Sequence, residues 1–353
     1  MPAGRFEHTA LKAFVEEIFV AAGLRPEEAA VEAEVLLWAE LRGLASHGVF
    51  RVPMYLGWIA QGSRNPASKP QVIRKMGATC LIDADRAPGL FMMTKAMARA
   101  TGLAREHGVG WVVVRNTTHT GAMGYYVRQA AEAGMIGLAT CASRPMMAYH
   151  GSRAPALGTS PLAIGVPRAN SAPVVLDMAS SAIAWGKLAQ ARANNETLAP
   201  GAALDASGRP TTDPHAAQIP LPLAGPKGSG LAMMIECLTS LAGGLPLAAP
   251  SLGGDGPPFN VQNAAAVAVD PAAFITGDGF ADEVDELARA LAALPRAEGV
   301  DEILMPGERG DRHAARQMMD GVPIASELWQ RLVGIAEDLG VTPPTALGSP
   351  GGD

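Results

Sequence analysis

His47, Arg51 and Tyr55 are spaced four residues apart in SHGVFRVPMY, and His119 lies in VVVRNTTHTG, between an apolar run and a glycine. On a helix, positions i, i+4 and i+8 share one face, so an imidazole, a guanidinium and a phenol would be presented together. That set suits a small oxo or hydroxy acid: the guanidinium grips a carboxylate with two N–H donors while an imidazole meets the reacting oxygen. Ser46 is a good N-cap in front of them. The plainer alternative is a capped surface helix with ordinary polar residues. His119 is expected in a strand-to-helix loop at the end of a buried sheet, where α/β proteins bind ligands. Thr117, Thr118 and Thr120 surround it with hydroxyls able to fix its tautomer, the alternative being a loop histidine bonded to backbone. Asp177 closes the apolar stretch PVVLDMA. A carboxylate there has to be paired or solvated, either by orienting an imidazole or by capping a helix. Lys227, in GPKGSG before a helix, joins a mobile cation to helix N–H groups, a combination that favours a phosphate, although a surface lysine is the simpler explanation. MPGE (305–308) before another helix is a similar case.

These side chains need elements to hold them. Leu11, Phe14, Val15, Ile18, Phe19 and Ala22 recur at helical spacing and stop at Gly23. Pro26 opens a second helix through Val31, Val35, Leu36 and Trp38 to Gly43, and a third is expected from Ser46 to Gln61 despite Pro53. The middle of the chain alternates. ATCLIDA (78–84), WVVVRN and MIGLATC read as strands; PGLFMMTKAMARATGLAREHG, ending at Gly108, and YYVRQAAEAG read as helices. PLAIGVP and APVVLDMA are spaced closely enough for a hairpin. Near-continuous apolar strands separated by helices predict a largely buried α/β sheet. Residues 210–258 are rich in Pro and Gly around one helix, GSGLAMMIECLTSLAGG. AAAVAVDP is a predicted strand, DEVDELARALAAL a helix and EILMP a short strand, followed by two helices around 309–319 and 325–339. The expected organisation is a helical region over 1–75, a central sheet unit over 76–220 with 295–340, a smaller α/β unit over 221–294, and a disordered tail over 341–353.

The bulk composition excludes several classes. With 353 residues, 48% apolar and 18% charged, the chain can bury a large core and is expected to form about two domains. Net charge is −6 and no basic cluster occurs, which argues against a nucleic-acid partner. No apolar run approaches the roughly 20 residues that span a bilayer, and MPAGRFEHTALK does not read as a secretory signal. Cys80, Cys141 and Cys237 are far apart inside apolar stretches, as buried thiols of a reducing compartment would be, so a cytoplasmic location is expected. There is no HExxH, acidic cluster or CxxC, so no metal is expected. No GxGxxG follows a strand, and GPKGSG has neither that order nor the P-loop order. A Rossmann domain is therefore not expected, and a nucleotide would need another backbone geometry.

SHGVFR, NTTHTGAMGYYVRQAAEAG, GTSPLAIGVP, LDMASS, AWGKL, TTDP and GPKGSGLAMMIE occur in an order that resembles the malate/L-lactate/sulfolactate dehydrogenase family. HTGAMGYYVRQAAEAGMIG, AWGKL with the following AR, and AGPKGSGLAMMI look most like its ureidoglycolate dehydrogenase branch. The resemblance covers roughly residues 1 to 340. It implies a non-Rossmann, mixed-sheet NAD(P)-binding domain, NAD or NADP as cofactor in an extended groove, homodimers, and hydride transfer between a 2-hydroxy acid and a 2-oxo acid. It further implies that His119 and His47 line the reacting carbon, that Arg51 holds the carboxylate, and that Tyr55 assists. Ser46 and Asp177 correspond to a relay in imine-reducing members. His119, Ser143, Asp177, Met178, Ala179, Lys227 and the turn of Pro306, Gly307 and Glu308 match cofactor contacts. Asn263, in VQNAAAVAVDP, falls where many members carry Gly-His-Phe or similar bulk, and a substrate contact is expected of it. Arg144 stands where the ureidoglycolate branch more often has an acidic residue. On this reading His119 is the general base, a neutral imidazole with a pKa near ~6.5. The rival chemistry is reduction of a cyclic imine carboxylate. A catalytically silent binding protein on the same fold is the rival of another class, against which the five polar groups His47, Arg51, His119, Asp177 and Lys227 argue together.

Overall fold

The computed structural model describes residues 2–277 and 279–348. Its centre is a seven-stranded sheet of β1 (Gln71–Met76), β2 (Thr79–Asp83), β3 (Val109–Thr117), β4 (Ile136–Ser143), β5 (Leu162–Val166), β6 (Val174–Met178) and β7 (Gln262–Val269). The spatial order is β1-β2-β3-β7-β4-β5-β6. Only β2 and β3 run parallel; every other neighbouring pair is antiparallel. The sheet is thus mixed, as expected, and unlike the parallel sheet of a doubly wound nucleotide-binding domain. Around it are α1 (His8–Ala21), α2 (Pro26–Leu41), α3 (Val52–Ala60), α4 (Gly89–His107), α5 (Met123–Glu132), α6 (Trp185–Asn194), α7 (Pro226–Glu236), α8 (Phe280–Ala292), α9 (Glu308–Asp320) and α10 (Ser326–Leu339).

Local signals account for most of these elements. α2 starts with Pro26 in its first turn and a Glu28 carboxylate accepting from the Arg25 N–H, a capping box. α4 ends where Gly108 turns left-handed at φ 79°, after Arg105 and His107 in the last turn. β5 and β6 form the expected hairpin. One core lies between the sheet and α4 and α5, with Met93, Met97, Val112, Val127 and Ala139 fully buried. A second joins α1, α2 and α3 to α10, around Leu11, Ile18, Phe19, Leu36 and Leu332.

Packing departs from the expected division of the chain. β7, assigned from sequence to a separate unit over 221–294, is inserted between β3 and β4 in the middle of the sheet. Its Ala264, Ala265, Ala266 and Ala268 are all fully buried, because small side chains let layers close on both faces. Hydrogen bonding across a sheet is non-local, so the pattern that revealed the strand could not reveal its neighbours. Likewise α10, assigned to the central unit, packs with the N-terminal helices. Pro2–Phe6 pairs antiparallel with Val322–Ala325, so the N-terminal region is not purely helical. β1 is an exposed edge strand without an apolar face, which left it invisible to patterning. EILMP forms no strand: only Pro306 reaches the sheet, its carbonyl accepting the Val175 N–H at 3.0 Å. In the expected tail, Leu347 donates its N–H to the Arg5 carbonyl at 2.7 Å, and residues 349–353 lie outside the described residues.

The helix expected over 46–61 is also different. Ala45–His47 and Val49–Arg51 are two short 3-10 turns separated at Gly48, and α3 starts only at Val52, with Pro53 in its first turn. Proline lacks the N–H that a longer helix would need there. At Gly48 a Cβ would lie 1.9 Å from the Glu40 carboxylate, so the break is built around a buried acid. Ser46 is therefore inside a turn rather than at the cap of a long helix.

Candidate active site

The broken segment still delivers the predicted side chains to one place. The rings of His47 and His119 lie near-parallel, with centroids 5.7 Å apart. The Tyr55 hydroxyl is 2.7 Å from His119 Nδ1. Arg51 donates from Nε to the Ser46 carbonyl at 2.6 Å, and Ser46 Oγ is 2.9 Å from His47 Nδ1. The Arg51 carbonyl-bound Nε leaves the two terminal nitrogens for a ligand, apart from a loose 3.8 Å contact to Met54 Sδ. Tyr55 is fully buried, so it reaches the site through His119 and not as a ligand contact. Behind it, the Arg64 guanidinium lies 4.4 Å from the ring centroid and pairs with Glu32, both nearly inaccessible to solvent. Sequence reasoning passed over Arg64 and Glu32, since neither residue sits in a recognisable spacing with the histidines.

The His119 loop is held at nearly every polar group. Thr118 donates its hydroxyl to the Ala87 carbonyl at 3.0 Å and accepts the Gly89 N–H at 3.1 Å. Gly89 begins α4; a Cβ there would stand 2.2 Å from the His119 carbonyl oxygen, so the loop rests on the helix start only because residue 89 has no side chain. The threonine hydroxyls, expected to set the His119 tautomer, are engaged elsewhere. Tyr55 and the Gly121 N–H, 3.2 Å from Nδ1, take that role. An N–H can only donate, so Gly121 favours the neutral ring with its proton on Nε2. The Tyr55 hydroxyl can donate to Nδ1 in that form or accept from it in the other.

Burial and the neighbouring cations keep both imidazoles neutral. Desolvation, then Arg51, pushes His47 down to about 3. His119 is held well below the usual histidine range by burial first, then by Arg51, His47 and Arg64. The value near 6.5 expected from sequence is therefore displaced downward. A carboxylate bound to Arg51 would cancel part of that cationic field and restore basicity to both rings.

Asn263 does not fit its expected role. β3 bulges against β7, where Gln262 pairs with Thr117 but Ala264 pairs with Val114. Asn116, left-handed at φ 55°, lies in that bulge. Asn263 Oδ1 accepts its stranded N–H at 2.8 Å, Nδ2 donates to the Leu245 carbonyl at 2.7 Å, and the side chain is fully buried. Both ends of its amide are bound to the backbone and the side chain is inaccessible, so here it serves the fold.

The residues expected at the cofactor collect along the β4–β6 side of the sheet. Asp177 and Met178 end β6, with Ala179 following. Asp177 accepts the Gly124 N–H at 2.7 Å in the first turn of α5, so it caps a helix and makes no hydrogen bond to Ser46 or His47. Burial raises its carboxyl to about 6, opposed by that N–H and by Arg42, while one side stays open to solvent. Gly307, left-handed at φ 95°, packs on Val175 and gives its carbonyl to Arg42 Nη2 at 2.8 Å; Glu308 follows it. Lys227 is exposed at the start of α7. The first N–H groups of that helix are taken, Gly228 donating to the Leu223 carbonyl at 2.8 Å, which leaves the ammonium as the anion-binding group. A Cβ at Gly228 would lie 2.4 Å from the Ser180 carbonyl, so this glycine serves close packing onto the end of β6. Ser143 ends β4, buried, its Oγ donating to the Arg144 carbonyl at 3.3 Å. One open carboxylate and one exposed cation beside the ends of β4 and β6 form an acceptor and donor pair that fits the hydroxyls and phosphates of a dinucleotide. An open cavity of about 540 Å³ lined by Trp185, Arg192, His215 and Gln218 contains none of these side chains. Among the described residues no cluster of three or more His, Cys, Asp or Glu could hold a metal, and no helix is long and apolar enough to cross a membrane.

Comparison with known proteins agrees with this fold. The malate/L-lactate dehydrogenase family profile matches residues 6–333. The chain is 34% identical over 325 residues to a ureidoglycolate dehydrogenase (NAD(+)) of Escherichia coli O157:H7, covering 92% of this chain and 93% of that one. Among solved structures, a sulfolactate dehydrogenase from Methanocaldococcus jannaschii superposes with a TM-score of 0.86 at 33% identity, covering 96% of this chain and 98% of that one. A delta1-piperideine-2-carboxylate reductase from Pseudomonas syringae pvar. tomato superposes with a TM-score of 0.82 at 32% identity, covering 94% and 99%.

Proposed function

The chain belongs to the malate/L-lactate dehydrogenase family, and from that membership and the site we propose that it interconverts a small 2-hydroxy acid and its 2-oxo acid with NAD or NADP. The observation that carries this reading is the convergence of Arg51, His47 and His119 in one site whose histidines are neutral. Arg51, anchored through Nε, offers its terminal nitrogens to the substrate carboxylate. In the tautomer that donates Nδ1–H to the Tyr55 hydroxyl, His119 Nε2 is free to take the proton of the substrate hydroxyl, and the imidazolium so formed returns it to the oxygen in the reverse direction. His47, held by Ser46, lines the same space and completes the clamp. Ser143, Asp177, Met178, Ala179, Lys227, Gly307 and Glu308 would hold the dinucleotide, which supplies the two-electron hydride acceptor or donor when bound. The expected Ser46–His47–Asp177 relay has its first link but not its second, which favours hydroxy-acid chemistry at His119.

The test is a panel of 2-hydroxy and 2-oxo acids, including ureidoglycolate, malate, lactate and sulfolactate, followed by absorbance of the reduced nicotinamide with each coenzyme. Turnover of at least one acid is expected; none with either coenzyme would defeat the reading. The likeness to the piperideine-2-carboxylate reductase supports a second reading, reduction of a cyclic imine carboxylate. Oxidation of NADPH that depends on such an imine, without hydroxy-acid turnover, would decide for it.

A further inference from the structure

Gln262 opens β7, the strand between the one that leads to His119 and the one that ends at Ser143. Its backbone pairs with Thr117 on one side and Ser143 on the other. Its side-chain oxygen accepts two bonds from Thr120, the N–H at 3.0 Å and the hydroxyl at 2.9 Å. Because the N–H can only donate, the amide atom facing Thr120 must be the oxygen, and the orientation of the side chain is fixed by chemistry. The Thr120 carbonyl is bound in turn by the Tyr126 hydroxyl at 2.7 Å. The residue next to His119 is thus held at its N–H, hydroxyl and carbonyl, two of the three by one side chain. Gln262 and Thr120 are both almost wholly buried, so water cannot replace these bonds.

We propose that Gln262 is a positioning residue for the reaction: it fixes the His119 loop through Thr120 and ties that loop to the Ser143 strand. Its neighbour Asn263, expected at the substrate, serves the β3 bulge instead. The proposal rests on the assignment of His119 and Ser143 above, and its test separates the two. Histidine side-chain 15N–1H spectra of the full-length protein, with His119 identified from a His119→Gln sample, report the tautomer and titration of that ring without any substrate. Gln262→Met keeps a similar shape but replaces the amide oxygen with a thioether, a much weaker acceptor, leaving the Thr120 N–H buried and poorly paired. We expect the His119 midpoint to rise by about one pH unit as the loop loosens. In the same variant kcat should fall roughly tenfold or more, while NADH affinity stays close to wild type because the backbone pairing with Ser143 remains. Thr120→Val, which loses one of the two bonds, should move both readouts part of the way, and Thr120→Ser should restore them. If Gln262→Met does not fold, the Thr120→Val and Thr120→Ser pair carries the comparison. Unchanged His119 spectra in Gln262→Met, or Thr120→Ser as impaired as Thr120→Val, would overturn the proposal. Failure of the wild type to turn over any hydroxy acid would instead refute the proposed function, with the spectra still deciding the role of Gln262.

Discussion

Arg51 sets the electrostatics of the site as well as its binding geometry. Its cation lowers the basicity of His47 and His119, and the same cation is the natural partner of a substrate carboxylate. Arg51→Lys keeps the charge but cannot hold the Ser46 carbonyl and present a two-pronged face together, so KM for the best acid should rise. Unchanged KM and kcat would place the carboxylate elsewhere. The histidines make a second, directional prediction. In the free protein both pKa values are depressed, so each ring is neutral above its folded value and protonated only in more acidic solution. The acid limb of kcat/KM for hydroxy-acid oxidation should therefore lie below pH 6.5, while that of kcat, read with Arg51 neutralised by substrate, should lie at higher pH. His119→Ala should abolish the limb and lower kcat by roughly 10²-fold or more, whereas His47→Ala should mainly raise KM. A limb lost with His47→Ala and kept in His119→Ala would move the proton-transfer role to His47.

At the scale of elements, the site depends on how closely a loop can approach a helix. Gly89 opens α4 in contact with the carbonyls of Thr118 and His119. On helix propensity alone, Gly89→Ala should stabilise the helix by up to about 1 kcal/mol. The contact should dominate, because the added Cβ pushes the His119 loop away, and a displacement near 1 Å can cost on the order of 10²-fold in rate. We expect circular dichroism close to wild type with kcat strongly reduced; full activity would show that the loop can yield. The elements themselves were largely legible in the sequence. Apolar runs gave β2 to β6, and Gly108 and Pro26 gave helix ends, because those signals are local. Residues 46–61 misled, because a four-residue spacing looks helical even when Gly48 and Pro53 divide it into turns. The convergence of His47, Arg51 and Tyr55 survived that error, since two 3-10 turns also bring the three side chains together. The choice between Asn263 and Gln262 was out of reach, because it depends on a bulge in another strand that alternation cannot register.

For the whole molecule, ionisable groups buried within the N-terminal helical layer and where it meets the His119 loop tie global stability to pH. Glu40, 8% exposed, accepts the Val49 N–H at 2.9 Å behind the Gly48 break. Desolvation raises its carboxyl from 4.5 to about 7, opposed only by that bond. For an acid raised by folding, the native state favours the protonated form. Its contribution is most favourable below the unfolded value of 4.5 and is lost as pH rises through about 7, and the shift corresponds to about 3 kcal/mol. His47 and His119 act oppositely: the unfolded chain takes up protons below about 6.5 that the folded rings refuse, so their contribution is lost toward acid pH. Stability should consequently peak between these two losses. Glu40→Gln separates them, since the amide oxygen can still accept from Val49 while no charge forms at high pH. Thermal melts should show the variant gaining a few degrees over wild type at pH 8 and little or nothing at pH 5, with the acid-side loss from the histidines retained. A difference in Tm that is the same at both pH values would mean that Glu40 stays ionised in the fold, and that Gly48 makes room for a charge rather than for a neutral acid.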